Sequence, residues 1–149
     1  MSARQELFGR TGGGHAAAVF SRSGKMLAFG EDVGRHNAVD KTVGELMEQG
    51  NLSEAYLLCV SGRVSYEIAS KAARAGLSIL AAVSAPSSLA IEYCRDAGIT
   101  LLGFCRGERV TVYAHEERVL GADLTNPSPE INLRARVGQV DVQKRVSNV

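Results

Sequence analysis

Two short stretches, AYLLCVS (residues 55–61) and LSILAAVS (77–84), decide the fold. Each is an apolar run that ends in Val-Ser. Each is followed by a helical pattern that closes on Ala-Gly, at Ala75-Gly76 and Ala97-Gly98. The step from Val60 to Val83 is 23 residues and that from Ala75 to Ala97 is 22, the length of one strand plus one helix. Repetition at that period predicts parallel strands laid side by side through right-handed crossovers. A third apolar run, ITLLGFC (99–105), completes the series, and RVTVYA (109–114) adds a strand after the turn Arg106-Gly107-Glu108.

Upstream, residues 16–29 (AAAVFSRSGKMLAF) read as two short strands joined by the turn Ser21-Arg22-Ser23-Gly24. A helix is predicted from about Val33 to Gln49, ending at Gly50, a good residue for a helix C-terminus. The order β-β-α-β-α-β-α-β-β argues for a three-layer α/β sandwich with a mixed sheet. Past Leu120 the pattern weakens. NPSPE is linker-like and residues 131–149 alternate only faintly, so 1–120 is expected to be the domain and 121–149 a loosely structured tail.

Composition sets broad limits. The 149 residues, 45% hydrophobic and 22% charged, suit one globular domain of ordinary size. Seventeen basic residues against sixteen acidic ones, interspersed, leave no electrostatic footprint for bulk nucleic-acid or membrane binding. No apolar run reaches the roughly 18–20 residues of a membrane span, and MSARQELFGRTGGG lacks the apolar segment of a signal peptide. A cytoplasmic protein is the default expectation. Cys59, Cys94 and Cys105 are scattered with no Cys-x-x-Cys among them, and the three histidines are not spaced like a ligand pair, which argues against structural zinc.

The most charged stretch is EDVGRHNAVDK (31–41). Asp32 is a plausible helix N-cap, with Glu31 and Asp32 favoured at the positive end of the helix dipole. At about 100° per residue, His36, Val39, Asp40, Val43, Leu46 and Met47 share one face, while Lys41, Glu45 and Glu48 lie opposite. That pattern turns His36 and Asp40 inward. They are either a satisfied structural pair or part of a pocket lining at the end of the sheet; a metal site lacks a third ligand.

Two helix starts follow strand ends: Ser61-Gly62-Arg63-Val64-Ser65 and Ser84-Ala85-Pro86-Ser87-Ser88. Serine N-capping explains either alone. Two side by side with Arg63 between them also suit a phosphate at the carboxyl ends of parallel strands. Thr11-Gly12-Gly13-Gly14-His15 is glycine-rich but lacks the context and ending of a P-loop. Phe104-Cys105-Arg106-Gly107-Glu108-Arg109 places two arginines around a glycine turn, suited to bidentate contact with phosphate or a guanine edge, or else to a solvated hairpin. Glu67, Lys71 and Arg74 read as a surface ion-pair ladder, and Cys105 as a packing residue.

The strings TGGGHAA (11–17), EDVGRHNAVDK (31–41), SGRVSYE (61–67), KAARAG (71–76), VSAPSSLA (83–90) and LLGFCRGERVTVY (101–113) resemble, in order, the C-terminal domain of the FdhD family of formate dehydrogenase accessory sulfurtransferases. The resemblance runs over about residues 11–120. It implies a cytidine-deaminase-like α/β/α fold and a homodimer. It also implies binding of the bis-molybdopterin guanine dinucleotide molybdenum cofactor as a client, with sulfur passed to it from a cysteine desulfurase on behalf of formate dehydrogenase. Cofactor contact is implied for Phe104, Cys105, Arg106, Gly107, Glu108 and Arg109, and His15, Asp32, Arg35, His36, Ser61, Arg63 and Ser84 are motif positions expected around the same pocket. On this reading His36 and Asp40 brace a nucleotide-cofactor pocket.

Two departures bear on chemistry. Zinc deamination needs His-x-Glu and Pro-Cys-x-x-Cys; here Asn37 and Ala38 follow His36, and Ser61–Ser65 contains no cysteine, so no zinc is expected. The family's sulfur-carrying Cys-x-x-Cys lies upstream of the Thr-Gly-Gly segment and is absent from this sequence. A non-catalytic cofactor-binding module or chaperone is therefore the alternative, and Cys105 as a replacement sulfur carrier a third reading.

Overall fold

The computed structural model describes residues 13–107, 109–119 and 130–132. Its strands are β1 (His15–Ser21), β2 (Met26–Asp32), β3 (Ala55–Val60), β4 (Ile79–Ala82), β5 (Thr100–Arg106), β6 (Arg109–Ala114) and β7 (Glu130–Asn132). Its helices are α1 (Arg35–Glu48), α2 (Tyr66–Arg74) and α3 (Ser88–Asp96). Residues 52–54 and 116–118 form single 3-10 turns.

The strands form one mixed sheet in the order β2-β1-β3-β4-β5-β6-β7. β3, β4 and β5 run parallel, as the repeated strand-helix unit predicts, and the remaining pairs are antiparallel. Both crossover helices stop the same way. Gly76 and Gly98 take left-handed φ values of 72° and 70°. Beyond each glycine the next N–H returns to the last turn, Leu77 to the Ala72 carbonyl and Ile99 to that of Cys94. Glycine suits these positions because it takes positive φ without the backbone strain that a side chain brings. The predicted turn at Ser21–Gly24 is present, with Gly24 at φ 83°.

The two crossovers advance in one direction along the sheet, so right-handedness places α2 and α3 on one face. α1 packs on β1 and β2 and touches α2, so all three described helices form a single layer. A second helical layer, as in the expected three-layer sandwich, is not found among the described residues. The core lies between that layer and the sheet. Leu46, Ile68, Leu58, Leu80 and Leu101 are fully buried, each stabilising the fold by about 1.5–3 kcal/mol through water exclusion. Residues 130–132, inside the expected tail, pair with β6; the rest of that tail lies outside the described residues, as do Thr11, Gly12 and Glu108.

Three local expectations are corrected. α1 starts at Arg35, two residues later than predicted, because Glu31 and Asp32 end β2; Gly34, not Asp32, is its N-cap. The buried face of α1 is Ala38, Val39, Thr42 and Leu46. Asp40 is exposed and Met47 is 64% exposed, so the inward His36–Asp40 pair does not form. Instead Asp40 Oδ2 pairs with Lys71 Nζ of α2 at 2.6 Å, which also replaces the predicted Glu67–Lys71–Arg74 ladder.

The seating of α1 depends on Gly30. A Cβ there would lie 2.7 Å from Thr42 Oγ1 and 2.9 Å from the Ala38 carbonyl. Gly30→Ala is expected to destabilise the protein by about 1–3 kcal/mol through overpacking. Gly44→Ala on the same helix meets nothing within 4 Å, and is expected to stabilise by about 0.5–1 kcal/mol through helix propensity. Urea midpoints of the two variants check both signs.

Candidate functional site

The carboxyl ends of β3, β4 and β5 gather most of the residues singled out from the sequence. Ser61 follows β3 and exchanges two 2.9 Å hydrogen bonds with Ala16, its N–H donating to the Ala16 carbonyl and its Oγ accepting from the Ala16 N–H. That bond fixes the start of β1, where His15 stands directly across from Asp32. The two helix-start turns are stitched together: Val64 N–H donates to the Ala85 carbonyl and Ser87 N–H to that of Val64, at 3.2 and 2.9 Å. The Ser84 carbonyl accepts from Phe104 N–H at 3.3 Å.

Asp32 is a bracing residue. Its Oδ1 accepts from Gly34 N–H at 2.9 Å and from Asn37 Nδ2 at 3.1 Å, and its Oδ2 meets Lys41 Nζ at 2.6 Å. These bonds, Lys41 foremost, hold its carboxyl down at about pKa 2.

Next to it, residues of β1, α1 and the β3–α2 turn converge. A Cβ on the buried Gly62 would lie 3.1 Å from His15 Nδ1 and 3.4 Å from Arg35 Cβ. Arg35 Nε is buried without a hydrogen-bond partner. His36 Nε2 lies 2.9 Å from Ser65 Oγ and 3.9 Å from Glu67 Oε2. Ser65 occupies the N-cap position of α2 but its hydroxyl does not cap that helix. Ser65 and Glu67's own N–H together lower the Glu67 carboxyl's pKa. The Ser65 hydroxyl accepts from His36 Nε2–H or donates to Nε2, according to the imidazole tautomer. On α3, by contrast, Ser87 Oγ caps conventionally, accepting from Ala90 N–H at 3.2 Å.

The β5–β6 hairpin supplies a second group, two strands away from β3 in the sheet. Phe104 is 45% exposed and held at φ 51°, a left-handed conformation unusual for a large side chain. Arg106 and Arg109 are exposed and directly paired across the hairpin, the one like-charge arrangement that such a position disfavours. Among the described residues no carboxylate pairs with either, or with the exposed Arg63. Cys105 packs against Val110 and Val112, and burial pushes its thiol up. Burial likewise raises Cys59 and Cys94 to about 11.

The sequence reading thus located His15, Arg35, His36, Ser61, Arg63, Ser84, Phe104, Arg106 and Arg109 at one end of the sheet, but in two groups rather than one. It missed Ser65 and Glu67 as partners of His36. The signal was there in Ser65-Tyr66-Glu67, a serine at a helix start with a carboxylate in the first turn. Among the described residues, no group of three His, Cys, Asp or Glu side chains is placed to hold a metal ion, and no helix is long and apolar enough to cross a membrane.

These features define an α/β domain that presents two cationic groups and an exposed aromatic at the carboxyl end of its parallel strands. The chain belongs to the FdhD/NarQ family, whose model matches residues 1–120. It is 52% identical over 120 residues to the sulfur carrier protein FdhD of Streptomyces avermitilis and to that of Thermoplasma volcanium, covering 80% of this chain and 43% of each relative. Against the Streptomyces coelicolor protein of the same name it is 49% identical over 140 residues, 93% of this chain and 45% of the relative. A crystal structure of a formate dehydrogenase accessory protein from Desulfotalea psychrophila superposes with a TM-score of 0.73 at 31% identity, covering 80% of this chain and 51% of that one. The chain therefore spans under half the length of these curated relatives.

Because Asp32 is held at about pKa 2 against an ordinary 3.8, its bonds stabilise the fold above about pH 4 and are lost as pH falls toward 2. Asp32→Asn is expected to be less stable than the parent at neutral pH, with the difference closing between pH 4 and 2. Chemical denaturation across that range reads it.

Proposed function

We propose that this chain is the cofactor-binding part of a formate dehydrogenase sulfur carrier. On this reading it receives the guanine-dinucleotide molybdenum cofactor as a client at the carboxyl end of its sheet. The observation that carries the reading is the facing Arg106–Arg109 pair beside the exposed, left-handed Phe104. Two guanidiniums placed opposite each other repel until an anion lies between them, and arginine forks match phosphate geometry. An aromatic face alongside offers a base a stacking partner. Cys105 and Gly107 belong to this arm through the hairpin's shape. Formate dehydrogenase, a cysteine desulfurase and a second copy of the chain are the proposed partners, and the cytoplasm the proposed compartment.

The thiols favour a division of labour. Sulfur carriage needs a thiolate, whereas burial raises all three of this chain's thiols. A module that holds the cofactor while another segment carries the sulfur agrees with that chemistry better than Cys105 as carrier.

Calorimetric titration with GDP tests the reading, with ATP and cytidine as controls. Saturable binding preferring GDP is expected, weakened about tenfold or more in Arg109→Ala by loss of a charge-assisted contact. Equal or absent binding of all three nucleotides would sink it.

A further inference from the structure

The geometry points to a protein-docking ridge across the starts of α2 and α3, fitted to a short apolar segment of a partner protein that carries carboxylates. Among the described residues, the exposed large hydrophobic side chains are Val33, Met47, Tyr66, Leu89 and Phe104. Four of the five stand at one end of the sheet. Val33 follows β2, Tyr66 and Leu89 lie in the first turns of the helices after β3 and β4, and Phe104 is near the end of β5. β2 runs parallel to β3, since both are antiparallel to β1, so all four strands finish at the same edge. Met47, in the last turn of α1, is at the other. Single exposed hydrophobics are ordinary on a surface; their gathering at one edge marks a contact site.

The middle of this row is pre-formed. The Tyr66 ring meets the Tyr93 ring edge to face, with centroids 5.0 Å apart and planes at 79°, and Tyr93 packs on the core. Leu89 is one helical turn before Tyr93 and shares its side of α3. A ridge already fixed in place loses little side-chain freedom on binding. Its flank is cationic. Arg63, exposed in the turn three residues before Tyr66, pairs with no carboxylate among the described residues. Ser65 and its own N–H already hold the Glu67 carboxyl low, and Glu92 lies one turn further along α3 than Leu89. Arg63 is thus open to a carboxylate from a partner.

Size and charge choose the occupant. The exposed apolar area of the ridge is on the order of a few hundred Å², the scale of a functional patch on a monomer. A stable interface takes roughly 800 Å² from each partner, so a short segment in transient contact fits and a second copy of the chain does not. Tyrosine and arginine are the side chains that dominate contacts between proteins. Recognition of an anionic membrane surface draws instead on a cluster of about four to eight Lys or Arg, where this ridge has Arg63. Tyr66, Tyr93 and Leu89 are not part of the arginine hairpin, so the ridge does not rest on the nucleotide reading.

The test titrates the full chain with labelled helical peptides of about 15 residues, read by fluorescence anisotropy. One carries leucines on one face and glutamates elsewhere; a second keeps the leucines but has lysines for glutamates; a third keeps the glutamates but has serines for leucines. The first is expected to bind saturably and the other two about tenfold more weakly or less. Leu89→Asp is expected to weaken the first peptide about tenfold, Arg63→Glu to weaken it as well, and Met47→Asp, at the opposite edge, to leave it unchanged. Near-ultraviolet circular dichroism of the tyrosines reports that each variant is folded. Saturating GDP is expected to leave the peptide in place. Binding that survives Leu89→Asp, binding displaced by GDP, or uptake of the chain by phosphatidylglycerol vesicles with the same dependence on Leu89 would overturn the ridge. Peptide binding without GDP binding would sink the nucleotide reading and leave the ridge standing; GDP binding with no discrimination among the peptides would do the reverse.

Discussion

The close approach of α1 to the first hairpin is the constraint on which the rest of the site depends. Gly30 has no side chain, so the helix descends until Thr42 Oγ1 and the Ala38 carbonyl fill the place a Cβ would take. The buried Thr42 hydroxyl then lies 2.8 Å from the Ala38 carbonyl and 3.2 Å from that of Ala17, so it can satisfy itself within its helix or across to β1. Helix depth sets where its first turn ends. Arg35 and His36 occupy that turn, and only at this depth do they reach Gly62 and Ser65 on the neighbouring turn. Asp32 locks the arrangement from the other side, tying the end of β2 to Gly34, Asn37 and Lys41.

A second constraint is the join between the two strand-to-helix turns. Val64 and Pro86 form a parallel bridge outside the named strands, which ties the β3–α2 turn to the β4–α3 turn. Gly103 completes it, since a Cβ there would lie 2.7 Å from Tyr113 and 3.1 Å from Pro86. The left-handed Phe104 follows immediately. Close packing beneath the turn fixes the backbone that presents the aromatic ring, and the strain at Phe104 is held by its surroundings.

Strand and helix order was legible because two features were repeated: Val-Ser at strand ends and Ala-Gly at helix ends. RVTVYA was read to its observed limits, since alternation there is clean and a glycine turn precedes it. The orientation of α1 was not. Its buried stripe uses Ala38 and Thr42, which carry little hydropathic weight, while Met47 and Val43 drew the predicted face toward Asp40. Nothing in the sequence announces that Asp40 meets Lys71, because 31 residues separate them. Strand β7 was missed for a related reason: three residues paired on one edge leave little pattern. The motif residues fall into two groups because sheet order inserts β4 between β3 and β5.

That division has a chemical consequence. One group, around Phe104, offers a flat aromatic and two paired guanidiniums, suited to a base and its phosphate. The other, around Gly62, sets the His15 ring and Arg35 Cβ against a bare backbone, next to His36, whose Nε2 meets Ser65 Oγ. The thiol on the hairpin, Cys105, packs against the apolar cluster of Val110 and Val112. On the proposed reading, the sulfur must then be brought to the ligand by a thiol outside this chain's own three, and the task of these residues is to fix the distance over which it arrives.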